Sequence, residues 1–188
     1  MGQYYKVALI QQQNVKIIQP EGWKLMEHSY YGNLSMKRIE YLLYKNTTQV
    51  MRIGDYSQVA PFVWDYKWED EEDMWRRDDK DVDWLLEHDE NYYYYLVNND
   101  TKEFINLTDQ EKNKKLKDEF WLIVHPLPLL CRAETEEAWW DYHSKVWKKY
   151  IWIWCWDRIY IDRSVERLED NYKEAWLQDR TLTYKFKE

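Results

Sequence analysis

Residues 150–161 read Tyr-Ile-Trp-Ile-Trp-Cys-Trp-Asp-Arg-Ile-Tyr-Ile, and the fold expected for the chain turns on this stretch. Ile151, Ile153 and Cys155 occupy the odd positions, and Trp152, Trp154 and Trp156 the even ones. An alternation that is apolar on both sides predicts a strand covered on both faces at the centre of a sheet, with Ile153 and Trp154 buried on opposite sides. Sites for partner strands lie upstream. Residues 3–10 read as a strand, and Val15 to Ile18 return as its hairpin partner. Residues 49–53 form another strand, ending at Gly54-Asp55. Residues 92–97 and 102–107 flank Asn98-Asn99-Asp100-Thr101, an Asn/Asp turn that predicts a hairpin. Residues 181–186 read as a closing edge strand.

Helices are expected in fewer places. Met36, Ile39, Leu42 and Leu43 follow helical spacing, with Asn33 or Ser35 as N-cap. Thr108 and Glu111 make a capping box for a short helix. Val165, Leu168, Tyr172 and Trp176 suggest a helix after Ser164. Residues 120–124 and 127–131 are expected to be extended, because Pro126 and Pro128 disfavour helix. The expected fold is therefore α+β: a mostly antiparallel sheet with three or four packed helices, in a single domain over residues 1–188.

The 188 residues include 13 Trp and 17 Tyr, so an aromatic core is expected. Net charge is −8, with 27 basic and 35 acidic residues. That balance argues against direct nucleic-acid binding, which needs clustered Lys and Arg. The first eighteen residues carry no basic n-region or long apolar run, so neither a secretory leader nor a membrane partner is expected. Cys131 and Cys155, 24 positions apart, suit a reducing, cytoplasmic setting.

Charge is unevenly placed. Residues 65–90 hold thirteen acidic and four basic side chains, net −9, so the rest of the chain nets about +1. Trp68, Trp75 and Val82 recur every seven residues, which predicts an acidic amphipathic helix, inserted or projecting, with Asp70, Glu71, Asp78 and Asp79 facing solvent. Such a surface can imitate a phosphate backbone and occupy a basic groove on a protein partner. The plainer alternative is a solvated face that keeps the chain in solution.

A second candidate is the polar set Glu27, His28, Asp55, His125, Asp141 and His143, whose carboxylates and imidazoles could share acid–base work. Glu27, His28, Asp55 and His125 are the core of a hydrolase or metal-dependent reading. The spacing matches no metal motif, and no cofactor is expected. The plainer alternative is that these histidines bond backbone groups in turns or core. A third candidate is the Trp-rich region, including Trp139, Trp140 and Trp147, which could stack bases. Few basic residues lie near it beyond Lys145, Lys148, Lys149 and Arg158, and aromatic stripes usually bury. No phosphate loop, dinucleotide fingerprint or nucleophile elbow is present.

Met1-Gly2-Gln3-Tyr4-Tyr5, the segment Leu25-Met26-Glu27-His28-Ser29-Tyr30, Gly54-Asp55-Tyr56, the run from His125 to Leu130 and Trp156-Asp157-Arg158-Ile159 occur in that order. Together they resemble a family of small bacterial and phage proteins of uncharacterised activity that begin MGQY. The resemblance implies a cytoplasmic protein of bacterial or mobile-element origin and imports no mechanism. Family members carry a Gly-rich stretch after the Pro-Leu-Leu segment, where this chain has Ala-Glu-Thr-Glu-Glu-Ala-Trp-Trp-Asp-Tyr over 133–142. Any ligand bound there by close backbone approach has lost its glycines. The leading functional expectation is a binding or inhibitory protein that blocks a host nucleic-acid-handling enzyme. The alternatives are the hydrolase or metal-dependent enzyme, and a small-ligand or nucleotide binder.

Overall fold

The computed structural model of the chain describes residues 5–11, 14–19, 30–31, 33–54, 69–70, 95–108, 124–133 and 153–175. Two strands open it. β1 (Tyr5–Gln11) and β2 (Asn14–Gln19) form the expected antiparallel hairpin, closed by the pair Gln11↔Asn14. β1 lies between β2 and β3 (Thr48–Gly54), again antiparallel, from Tyr5↔Gly54 to Ile10↔Gln49. Its side chains alternate between two buried surfaces. Tyr5, Val7 and Leu9 enter the main core. Ala8 joins Ile17, Met51 and Ile53 in a smaller cluster.

Helix α1 (Leu34–Lys45) connects the hairpin to β3. It begins where expected, with the Asn33 carbonyl accepting from the Lys37 amide at 3.0 Å. Met36, Ile39 and Leu43, three and four positions apart, are its buried stripe. Thr48, only three residues past the helix, starts β3 and accepts a 2.8 Å hydrogen bond from Gln11 Nε2.

β5 (Tyr95–Asn98) and β6 (Glu103–Asn106) form the second expected hairpin. Asn98 holds its turn: its side-chain oxygen accepts from the Asp100 and Thr101 amides at 2.9 and 3.0 Å. β8 (Arg158–Asp162) runs antiparallel to both β3 and β5 and so joins the two hairpin regions into one sheet.

Three two-residue strands complete the sheet by parallel pairing. β4 (Glu69–Asp70) pairs with β2, β7 (Arg132–Ala133) with β3, and β9 (Lys173–Glu174) with β6. The strand order is β4-β2-β1-β3-β8-β5-β6-β9, with β7 beside β3.

This corrects the expected fold. Among the described residues one mixed nine-stranded sheet dominates. The helices are α1, α2 (Pro126–Leu130) and α3 (Glu166–Glu169), and the last two have five and four residues. It is not a helix-rich α+β arrangement with three or four substantial packed helices.

Three local expectations also change. The stretch at 153–157 is bend and turn, and strand begins only at Arg158. The Asp157 amide bonds the Trp154 carbonyl at 3.1 Å, which closes a tight turn. Trp154 is fully buried and Ile153 half-buried, but they are not opposite faces of one strand. An apolar residue at every position fits a packed turn as well as a central strand, and here Asn98 draws Asp157 aside with a 2.8 Å bond.

Residues 126–130 are helical, not extended. Pro126 and Pro128 fall in the first turn, where a missing N–H is no loss and the fixed φ suits the helix. Glu69–Asp70, expected within an acidic helix, is strand. The helix expected after Ser164 shrinks to α3, and the Lys173 and Ala175 amides then bond the carbonyls of Lys102, just before β6, and Phe104 within it, at 2.9 and 2.7 Å. Thr108 is described, its hydroxyl donating to Asn106 Oδ1 at 2.7 Å, but Glu111 and the helix expected after it, the rest of 65–90 and the strand at 181–186 lie outside the described residues.

The buried core of the described residues is mostly Val, Leu, Ile and Met, with Tyr5, Tyr95, Phe104 and Trp154 as its aromatic members. No helix among them is long and apolar enough to cross a membrane.

Candidate functional site

Of the polar set singled out in the sequence, His125 is the one described member. Glu27, His28, Asp55, Asp141 and His143 lie outside the described residues. His125 follows Val124, which bridges Tyr30, and precedes Pro126 at the start of α2. Its backbone is extended, at φ −71 and ψ 138, as an N-cap requires. Its Nδ1 accepts from the Leu127 amide at 3.1 Å. That bond assigns the neutral ring's proton to Nε2.

His125 Nε2 lies 2.6 Å from Glu40 Oε1 on α1, a close contact off the axis of a good hydrogen bond. The His125 side chain is fully buried, and that of Glu40 is 18% exposed. The Tyr31 ring leans on the imidazole at a centroid distance of 4.8 Å. The Tyr31 hydroxyl is buried without a hydrogen bond. Burial, and then the nearby Glu40 charge, push its pKa well above the ordinary tyrosine range.

Tyr31, Glu40 and His125 therefore form a polar junction among three chain segments. Its chemistry is limited by geometry. One imidazole nitrogen caps α2 and the other faces a carboxylate of the same chain. Neither nitrogen reaches a substrate unless the junction opens. Sequence reading found His125 and missed Glu40 and Tyr31. Glu40 stands four residues after Met36 and three before Leu43, so it flanks the buried stripe of α1. A carboxylate in that position was the available signal.

Cationic groups are buried elsewhere. Arg52 and Arg132 are register partners on β3 and β7. Arg52 Nη2 lies 3.0 Å from Met36 Sδ, and the Arg132 guanidinium sits over the Tyr5 ring at 5.5 Å. Both make further interactions. Lys6 on β1 is also buried, and desolvation lowers its pKa.

The two thiols are suppressed as nucleophiles. Burial, followed by the proximity of Cys155, pushes Cys131 well up, while Arg52 pulls weakly the other way. Burial, followed by the Asp157 charge, raises Cys155. Among the described residues no group of three or more His, Cys, Asp or Glu could hold a metal ion.

Of the acidic segment and the Trp-rich region only parts fall within the described residues. Asp70 belongs to β4, whose backbone pairs with Ile18 and Gln19 at one end of the sheet. Glu71, Asp78 and Asp79 lie outside the described residues. Of the Trp-rich region, Trp154 is buried while Trp156 is 45% exposed and carries a left-handed φ of 72. Beside it, Arg158 makes a charge-paired contact with Asp100 on the β5–β6 turn.

Searches of protein-family models, of curated proteins and of solved structures find no match to this chain.

Proposed function

We propose that this chain is a binding or inhibitory protein that acts through a surface including its acidic segment, against a protein with a basic groove. The observation that carries this is the position of β4. Among the described residues Glu69–Asp70 is the outermost strand on the β2 side of the sheet, and these two residues belong to the stretch with net charge −9. Clustered carboxylates create a local negative field that steers and orients a basic partner. In keeping with the resemblance to MGQY proteins of bacteria and phages, the proposed target is a nucleic-acid-handling enzyme of the host, met in the cytoplasm.

A hydrolase built on His125 is the weaker reading, because one of its nitrogens caps α2 and the other is buried against Glu40 of the same chain. The test is affinity capture from a bacterial lysate, with mass spectrometry, followed by elution with salt and with duplex DNA. Partners held by phosphate mimicry elute steeply as salt screens the charge, and duplex DNA displaces them. Partners that resist both eluents would contradict the proposal.

A further inference from the structure

We draw no further inference here: the strongest candidate, the exposed Trp156 corner on the left-handed turn before β8, is a single apolar patch, and nothing in the structure shows what covers it.

Discussion

Replacing Trp156 by Gly and, separately, by Ala should give an inverted order of stability. Trp156 is the third residue of the turn closed by the bond from the Asp157 amide to the Trp154 carbonyl, and its φ is 72. This is the position that glycine takes in type II turns. A residue with a Cβ held there costs about 1–2 kcal/mol. Both variants lose the indole, so lost burial cancels between them. Both keep the Trp156 carbonyl that accepts from Gln49 Nε2 at 2.8 Å. Two terms remain. Gly relieves the left-handed penalty, and Ala gains about 0.4–1 kcal/mol by restricting the unfolded chain. The first is the larger, so the Gly variant should be more stable by roughly 0.5–1 kcal/mol. For a chain of this length that is about 1–4 °C in thermal midpoint. Calorimetry on the two variants side by side reads the difference. An Ala variant more stable than the Gly variant would refute the left-handed turn.

Three further outcomes are expected. Trp154→Ala removes a fully buried indole and should cost about 3–5 kcal/mol, so an unchanged urea midpoint would contradict its burial. His125→Asn keeps a side-chain acceptor at the α2 N-cap and His125→Ala does not, so the Asn variant should unfold at the higher urea concentration, by about 0.5–2 kcal/mol; equal midpoints would remove the cap's role. Tyr31 holds its proton more tightly folded than unfolded, so the stability tied to it is fully present below about pH 10 and is lost as pH rises beyond. The wild-type thermal midpoint should therefore fall more steeply between pH 9 and 11 than that of Tyr31→Phe, and parallel curves would contradict the buried hydroxyl.

What could be read from the sequence was local. The β1–β2 and β5–β6 hairpins were legible because alternation and turn residues lie within a few positions of one another. The stripe of Met36, Ile39 and Leu43 was legible for the same reason, as was the strand that follows at β3. The misreadings share a different cause. Pro126 and Pro128 exclude a helix interior and favour a first turn, and which applies depends on His125 serving as cap. At 153–157, Trp154 packs beneath α2, its amide bonded to the Leu130 carbonyl at 2.9 Å, a contact between residues 24 apart. β4, β7 and β9 are two residues each and exist only through distant parallel partners. The candidate site divides the same way. His125 stood out by residue type, but Glu40 and Tyr31 join it only once α1 and the segment at 30–31 close around α2.

The central claim is that the acidic segment at 65–90 forms part of the binding surface, and charge reversal tests it most directly. Asp70, Glu71, Asp78 and Asp79 are changed together to Lys, and affinity is measured for the partner captured by the wild-type chain. Binding should be abolished, while a thermal midpoint that hardly moves shows that the fold has survived. A reversed protein that is still folded and binds the same partner with unchanged affinity would contradict the claim.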